Sequence, residues 1–265
     1  MGVEDVELPA GVVHYVAVGQ GPPVVLLHGL LMDYALWDRV LPRLPQGFRY
    51  IRPTLPLGAH RRAMDPGADL TLPGQVRIVA DFLEALGLED ATLVHAAWGG
   101  ALFLTARGLD GRVARQVVLP CQAFDNFPPG GVRLPRVGWS RRLLLGRVAR
   151  RLPDELVRRW TEPVLRDPGV HRDLLAYRHT RFDAAGLVRD TEALSRFRGD
   201  ALVLWSPDNR VVPPAHGHRL AALMPGARYA EVPGASVLPM LDEPEAVARE
   251  LSRFLTSTRP VPRRR

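Results

Sequence analysis

Short apolar runs alternate with amphipathic segments over the first 120 residues. Residues 11–19 alternate between apolar and polar side chains, which predicts the edge strand of an opening hairpin, and residues 23–28 form a continuous apolar run typical of a buried strand. Further strands are predicted at 50–53, 93–95 and 113–119, and helices at 34–44, 73–86 and 101–107. Strands that alternate with helices indicate a mostly parallel sheet covered by helices on both faces.

The pattern changes at Cys121. Residues 121–199 contain a Pro- and Gly-rich linker and arginine-bearing amphipathic segments at 141–151, 154–165 and 171–178, with nothing typical of a strand. Strands return at 201–205 and 228–232, with helices at 215–223 and 243–254. The sequence therefore predicts one α/β core, residues 1–120 and 200–256, a helical lid at 121–199, and a disordered basic tail at 257–265.

Positive charge is concentrated in this predicted lid and in the tail. The chain has no lysine, so all 35 basic residues are arginine, and the formal net charge is +7. Residues 121–200 contain 16 Arg against 10 Asp and Glu, and the last seven residues add four more Arg. One explanation is that the arginines form a solvated helical surface. The other is that they bind an anionic ligand, a lipid membrane surface or a protein partner. No nucleic-acid partner is expected, and nothing in the sequence sets the oligomeric state.

Cysteine usage and the N-terminus favour a cytoplasmic location. Cys121 is the only cysteine, which excludes an internal disulfide and fits a reducing compartment. The first residues lack the basic and apolar regions of a signal peptide, and no apolar run approaches the ~18 to 20 residues that span a bilayer.

The segment with the most informative chemistry is residues 91–100. A short apolar strand runs into the turn Trp98-Gly99-Gly100 and then into an apolar helix, which is the layout of a nucleophile elbow. Such an elbow lifts one Ser, Asp or Cys side chain above the sheet beside backbone N–H groups. Here that position is Ala97, whose methyl group can neither attack a substrate nor accept a proton.

A second segment indicates where an oxyanion would be bound. His28 and Gly29 follow the second predicted strand, which places the backbone N–H of Leu30 where an oxyanion donor lies. His28 itself is more typical of a structural, hydrogen-bonding residue than of a catalytic base.

Together these features resemble the α/β-hydrolase fold family over nearly the whole chain. The loops at 55–60 (LPLGAH) and 121–129 (CQAFDNFPP) are similar to those of a bacterial subgroup related to haloalkane dehalogenases and epoxide hydrolases. Trp98-Gly99-Gly100 is similar to the dehalogenase elbow, which carries Asp. The Ser-type elbow usually has Gly two residues before the nucleophile, where this chain has His95.

The resemblance also implies positions for a catalytic acid and a histidine. Counting four residues back from Pro213 gives Asn209 for the acid, with Asp208 one place earlier. The histidine position, after the turn that precedes the last helix, is Val237, and an alternative acid position after the sixth strand is near Gln122. Nucleophile, acid and base positions are thus all substituted, which predicts a degenerate triad.

Several candidate groups remain around the elbow. The backbone N–H groups of Leu30 and Trp98 do not depend on side-chain identity, and the resemblance implies that the Trp98 indole N–H can reach a ligand. His95 is either a satisfied histidine at a strand end or a relocated proton-transfer group. Asp208 is either a helix-capping or surface carboxylate or an acid that swings into the triad position.

Two classes of function follow from these substitutions. The first is a lyase, isomerase or cyclase that binds a small apolar carbonyl compound or its enolate without a covalent step, and the second is a non-catalytic protein that binds a ligand or partner. A hydrolase with a relocated catalytic centre is a further alternative, so enzymatic activity is left open. The sequence predicts neither a cofactor nor a metal site.

Overall fold

The structure is a computed structural model and describes residues 2–126, 149–180 and 183–257 of the 265-residue chain. Eight strands form one sheet, in the spatial order β1-β2-β4-β3-β5-β6-β7-β8. The strands are β1 (Glu4–Leu8), β2 (Gly11–Val18), β3 (Pro23–Leu26), β4 (Arg49–Thr54), β5 (Ala91–Ala97), β6 (Val113–Cys121), β7 (Asp200–Trp205) and β8 (Arg228–Glu231). β1–β2 and β2–β4 pair antiparallel, and every other neighbouring pair is parallel.

The central strands of the sheet are more apolar than the edge strands because they are more deeply buried. Every residue of β5 is buried, because helices cover both faces of the sheet at this position. The edge strand β8, by contrast, is only partly buried. The carboxyl ends of β3 and β5 therefore meet in the middle of the molecule, where open α/β sheets carry their binding sites.

Seven α-helices are present in the described residues. They are α1 (Leu72–Ala85), α2 (Asp154–Arg166), α3 (Pro168–Arg178), α4 (Ala184–Glu192), α5 (Pro214–Leu223), α6 (Pro239–Asp242) and α7 (Pro244–Leu255). Four 3-10 segments, Tyr34–Trp37, Leu41–Arg43, Gly100–Leu104 and Ala193–Arg196, complete the secondary structure. None of the described helices is long and apolar enough to cross a membrane.

The parallel-rich sheet with flanking helices is confirmed, and so is its helical insertion. Between β6 and β7 the described residues, 149–180 and 183–199, contain helices and no strand. The predicted linker at 128–131, most of the segment at 141–151, and nearly all of the tail lie outside the described residues. The exact limits of the lid remain a prediction.

The edge strand is a different segment from the one predicted. β1 occupies the edge of the sheet, and β2, which covers the predicted segment at 11–19, lies one place further in, between β1 and β4. The first strand has the sequence Glu-Asp-Val-Glu-Leu, and its Val6 pairs with Val13 of β2. The charged residues around Val6 interrupt the apolar pattern by which a strand is recognised in a sequence. Charged residues are typical of exposed edge strands, so a strand of this kind lacks a clear apolar signal.

Two predicted helices are also wrong in type. The segment at 34–44 forms two short 3-10 turns, and Pro42 near the start of the second turn cannot donate a hydrogen bond to a continuing α-helix. The segment at 101–107 is a 3-10 turn over Gly100–Leu104. Two consecutive glycines, Gly99 and Gly100, precede it, and glycine has a low helix propensity.

Candidate functional site

The turn after β5 has the left-handed backbone of a nucleophile elbow, with Ala97 at the position predicted for the nucleophile. Ala97 ends the strand with a φ of 61°, in the left-handed region, and its side chain is buried. A non-glycine residue in this region costs about 1–2 kcal/mol, so the surrounding structure must hold it there. The pairing between β5 and β6 is irregular between His95 and Ala97, which marks the start of the turn.

Gly29 lies directly against this turn. A Cβ atom at position 29 would lie 2.6 Å from the Cβ of Ala97 and 3.5 Å from the backbone nitrogen of Trp98. Only glycine fits such an approach. The loops that follow β3 and β5 are therefore in contact, as the predicted oxyanion site requires.

The two predicted oxyanion donors differ in their surroundings. The backbone N–H of Trp98 donates to the carbonyl oxygen of Ala96 at 2.6 Å, so a ligand oxygen would have to share this donor. Leu30 is half-buried in the loop that contacts the elbow. The next residue, Leu31, has a φ of 58°, and its N–H donates to the carbonyl of Leu57. This bond fixes the course of the loop around Leu30.

His28 is held in the loops by hydrogen bonds to the backbone. Its Nε2 accepts a hydrogen bond from the N–H of Leu55 at 2.8 Å, so Nδ1 carries the proton and donates to the carbonyl of Gly29, also at 2.8 Å. Burial lowers the pKa of His28 to about 4, which keeps the ring neutral. In this arrangement His28 positions Gly29.

His95 is enclosed beneath the elbow. Its Nε2 lies 2.9 Å from Oε1 of Gln116, so Nε2 carries the proton, and its Nδ1 has no hydrogen-bond partner among the described residues. Burial lowers its pKa to about 4, and the ring is fully buried. His95 is therefore neutral at pH 7 and has one unused acceptor nitrogen.

The indole of Trp98 binds a residue of the insertion. Its Nε1–H donates to the hydroxyl of Tyr177 at 3.0 Å, and both side chains are buried. Tyr177 belongs to α3, so a helix of the insertion contacts the elbow. Burial raises the pKa of the Tyr177 phenol, which therefore stays protonated at neutral pH.

Asn209 is buried in the loop after β7. Its Oδ1 accepts hydrogen bonds from the N–H groups of Val211, at 2.9 Å, and Val212, at 3.1 Å. Its Nδ2 is buried and has no hydrogen-bond partner among the described residues. The side chain thus holds the loop with one atom and leaves a donor unused.

Val237 and Asp208 lie in neighbouring loops. Val237 is buried just before α6, and it offers no polar atom to Asn209. Asp208 is exposed, and its carboxylate accepts a hydrogen bond from the N–H of Gly234 at 2.8 Å. Asp208 therefore ties the loop of Asn209 to the loop of Val237.

Gln122 contacts the other side of the elbow. Its Oε1 accepts a hydrogen bond from the N–H of Gly99 at 3.3 Å. A Cβ atom at position 99 would lie 1.6 Å from the backbone oxygen of Gln122, so this close approach also requires glycine. Gln122 supports the turn between β5 and the 3-10 segment that follows it.

Three buried aspartates attach the insertion to the sheet-bearing part, and sequence analysis did not single them out. Asp33 accepts hydrogen bonds from the side chains of Arg159 and Trp160 in α2. Asp242 accepts two bonds from the backbone N–H groups of Arg150 and Arg151. A cavity of about 200 Å³ lies beside Asp33, and its lining does not include the elbow.

Asp173 of α3 is the third of these aspartates. Its Oδ2 lies 3.1 Å from Nε2 of His60 and accepts a bond from the N–H of Met64 at 2.7 Å, while its Oδ1 binds Arg172. Burial alone would raise the pKa of this carboxyl, but the bonds from His60, Met64 and Arg172 outweigh it and hold the pKa below its usual value. In the described ranges no group of three His, Cys, Asp or Glu side chains could hold a metal ion.

The fold agrees with what related sequences show. The model of the alpha/beta hydrolase family matches residues 24–250, which is most of the chain. The chain belongs to the alpha/beta hydrolase family. This confirms the resemblance noted from the sequence.

Relatives of this family member have diverse names. It is 26% identical to an uncharacterized protein of Mycobacterium tuberculosis, over 92% of this chain and 78% of the relative. It is 33% identical to a soluble epoxide hydrolase of Corynebacterium sp. over 43% of this chain and 42% of the relative. It is 32% identical to a cis-3-alkyl-4-alkyloxetan-2-one decarboxylase of Shewanella oneidensis, over 51% of this chain and 43% of the relative.

Solved structures agree on the fold. A mutant of the haloalkane dehalogenase DatA from Agrobacterium tumefaciens matches with a TM-score of 0.79 at 22% identity, over 97% of both chains. An identity this low shows only that the α/β-hydrolase fold is shared.

The structure brings some of the predicted site residues together and separates others. Gly29, Ala97 and Trp98 lie in contact, and Gln122 binds the elbow from the side. Asp208 is at the surface. Tyr177 was missed, because its only sequence signal is an aromatic residue on an amphipathic helix.

Proposed function

We propose that this alpha/beta hydrolase family member binds or converts a small apolar carbonyl compound at the elbow without forming a covalent intermediate. The observation that carries the proposal is Ala97: the backbone has the φ of 61° that presents a nucleophile, and the side chain is a methyl group. A covalent step needs an attacking atom at this position. Non-covalent binding needs only donors and a matching shape.

Substituted residues at the other two triad positions support the proposal. Asn209 keeps the loop bonds that a carboxylate would accept, but its remaining atom is an amide nitrogen, which donates. Val237 has no proton to transfer. A single lost nucleophile would leave an acid and a base in place, and neither is present here.

The described side chains give the elbow an apolar character with few polar groups. The sulfur of Met32 would lie 3.3 Å from a Cβ at Gly29, and Leu174 of α3 reaches the neighbouring loop at Gly58. In the proposed complex the N–H of Leu30 holds the carbonyl oxygen, and the buried apolar side chains exclude water. Small-molecule pockets usually have this composition, with a mostly apolar lining and a small number of polar groups.

A lyase, isomerase or cyclase reaction is the catalytic form of this proposal. One relative is named as a decarboxylase of an oxetan-2-one, a carbonyl compound, which supports chemistry other than simple hydrolysis in this part of the family. Such a reaction still needs an acid or a base, and His95 is the imidazole nearest in sequence to the elbow, with an unused Nδ1.

A non-catalytic binding protein is the second candidate. It is favoured by the bond between Trp98 and Tyr177, which already satisfies the indole donor inside the protein. Neutral His95 with a pKa of about 4 is also a poor base at neutral pH. The two candidates share the elbow as binding site and differ only in turnover.

Turnover of the unmodified protein tests the proposal. Activated esters, epoxides and haloalkanes are offered, and mass spectrometry is used to look for a covalent adduct. We expect neither an adduct nor turnover beyond the residual ~10³- to 10⁴-fold over water that an oxyanion site alone gives. Multiple turnovers that disappear in His95→Ala would overturn the proposal in favour of a relocated catalytic centre.

Stepwise restoration of the triad is a sharper test. Ala97→Asp alone should leave hydrolysis undetectable, because no histidine is available to activate water. Ala97→Asp combined with Asn209→Asp and Val237→His should raise turnover, because all three roles are then filled. Equal activity of the single and triple variants would contradict the assignment of Asn209 and Val237 to the acid and histidine positions of the triad.

A further inference from the structure

The cavity beside Asp33 lies at one face of the sheet, near the β1 edge. Its volume is about 200 Å³, and its lining includes His14 of β2 and Thr54 of β4. His14 and Thr54 are directly opposite each other on these antiparallel strands, so both side chains are on the same face of the sheet. Neither Ala97 nor Trp98 lines this cavity. The cavity is therefore a place for a ligand that is separate from the elbow.

The charged groups around the cavity are paired, with one exception. Asp33 forms a salt bridge with Arg159 at 2.5 Å, and Asp5 binds the ring of His14. Arg61 also lines the cavity, and its side chain is exposed. Across the described part of the chain, Arg61 has neither a salt bridge nor a hydrogen bond. A guanidinium without a partner beside a concave space favours the binding of an anion.

A buried hydroxyl adds a second polar group to the cavity. Thr54 is only 5% exposed, and its hydroxyl has no hydrogen-bond partner among the described residues. Most buried side-chain hydroxyls have a partner in the protein or in bound water. The Thr54 hydroxyl can donate to an anion in the cavity, and Arg61 adds the N–H donors of a planar guanidinium.

The neighbouring carboxylates limit the charge of this anion. Asp33 lines the cavity and Asp5 binds a side chain that lines it, so both would repel a second negative charge. The unpaired Arg61 balances a single negative charge. A carboxylate also matches the planar guanidinium, with which it forms two parallel hydrogen bonds. The cavity therefore favours a monocarboxylate over a phosphate dianion.

Apolar side chains complete the lining and set the size of the ligand. Val3 and Ala59 line the cavity, and Val3 is 56% exposed, which is unusual among the large apolar residues that the structure describes. Benzene fits a cavity of ~150 Å³. A volume of about 200 Å³ thus has room for one benzene ring with a carboxyl group.

We propose that this cavity is a second ligand site, which binds a small apolar monocarboxylate through Arg61 and Thr54. The carboxylate accepts hydrogen bonds from the guanidinium and the hydroxyl, and the apolar part of the ligand packs against Val3 and Ala59. Because Asp33 also binds α2, the ligand lies where the insertion meets the core. This site is independent of carbonyl binding at the elbow.

Calorimetric titration of the unmodified protein with benzoate, at low ionic strength, tests the site. We expect saturable binding of one benzoate. Benzamide has nearly the same shape without the charge, and inorganic phosphate has the charge without the apolar ring. Both should bind at least about tenfold more weakly than benzoate, because each lacks one of the two features that the cavity recognises.

Two variants each remove one of the proposed donors. Arg61→Gln should weaken benzoate binding about ten- to a hundredfold, because hydrogen bonds to a charged group are lost. Thr54→Val keeps the shape of the side chain without the hydroxyl and should weaken binding about two- to tenfold. Arg62→Gln is the matched control, because Arg62 is also exposed but does not line the cavity, and it should leave the affinity unchanged. Thermal unfolding shows whether each variant keeps its fold.

Four results would overturn the proposal. The first is no saturable binding of benzoate to the unmodified protein. The second is benzamide or phosphate binding as tightly as benzoate. The third is equal weakening by Arg61→Gln and Arg62→Gln, which would reduce the effect to net charge. The fourth is an unchanged benzoate affinity in both Arg61→Gln and Thr54→Val, which would place benzoate at another site such as the elbow. Each of these results leaves the proposed function of the elbow standing.

Discussion

The sheet-bearing core and the helical insertion are stabilised in different ways. β5 at the centre of the core is buried along its whole length and is apolar except for Thr92 and His95. α2 and α3 of the insertion carry many charged residues, and they attach to the core through the buried carboxylates of Asp33 and Asp173. Apolar contact thus holds the core, whereas the insertion combines apolar contacts, such as those of Trp160, with buried carboxylates that bind across its boundary with the core.

This difference decides how each region responds to change. Removing one apolar side chain from the core lowers stability in proportion to the cavity, whichever residue is chosen. Removing one carboxylate from the insertion leaves several buried donors without a partner, and its surface charges contribute little. The variants below compare the two responses, from the largest expected effect to the smallest.

Leu93→Ala should give the largest loss of stability. Leu93 lies in β5 and is fully buried, so its truncation leaves a cavity and should lower the free energy of unfolding by about 2–5 kcal/mol. Leu165→Ala in the insertion is the control, because 53% of Leu165 is exposed. Urea denaturation measures both, and an equal loss for the two variants would remove the contrast between the regions.

Asp173→Ala should have the next largest effect, and it should be local. His60 and the N–H of Met64 lose their acceptor, and a buried donor left without a partner costs about 1–3 kcal/mol. Hydrogen exchange should accelerate in α3 while β5 stays protected. Glu162→Ala, which removes an exposed ion pair with Arg166, is the control and should leave hydrogen exchange in α3 and β5 unchanged. If exchange in β5 also accelerates in Asp173→Ala, the two regions unfold together.

Acid should weaken the core before it weakens the Asp173 contact. His28 and His95 have pKa values lowered to about 4, so between pH 6.5 and 4 the unfolded chain binds protons that the folded protein does not, and stability falls. The pKa of Asp173 is lowered, so its contribution is present above its unfolded pKa of ~4 and is lost only below it.

His95→Gln tests this pH dependence. The loss of stability between pH 7 and pH 5 should be smaller in this variant by about 2 kcal/mol, because one of the two buried imidazoles is gone. His171→Gln replaces an exposed histidine of the insertion and is the control. Thermal unfolding at the two pH values measures the effect, and an unchanged pH dependence would mean that His95 is not buried as a neutral ring.

The smallest effect concerns the arginines of the insertion. We propose that they bind anionic surfaces. Arg166 and Arg189 already have acidic partners, so the binding side chains are exposed arginines that have no described salt bridge, such as Arg158 and Arg178. Binding to anionic vesicles by a chain that lacks the last seven residues should appear at low salt and fade near 0.15 M, where the screening length is ~8 Å. No binding at low salt would leave these arginines a solvated surface.

The sequence predicts the core well because apolar periodicity is a local signal. The strands around Leu93 and Val117 are short, mostly apolar segments, and their alternation with helices along the chain indicates a parallel sheet. The elbow is also predictable, since Trp98-Gly99-Gly100 directly follows such a strand. β1 was not predicted as the edge, because its charged residues carry no such signal.

Contacts between the insertion and the core could not be predicted. Asp173 and His60 are 113 residues apart, and Trp98 and Tyr177 are 79 residues apart. Each is an ordinary polar or aromatic residue within its own segment, and only the folded chain shows its partner. Pairing of this kind depends on tertiary structure, which periodicity does not encode.

The left-handed turn at Ala97 makes this protein a ready scaffold for enzyme engineering. Because the backbone already has a φ of 61°, a new side chain at position 97 would be presented above the sheet without any redesign of the loop. The Gly29 loop already leaves room for the turn. A reactive or non-natural residue placed there would inherit a buried, preorganised position that designed sites usually have to build.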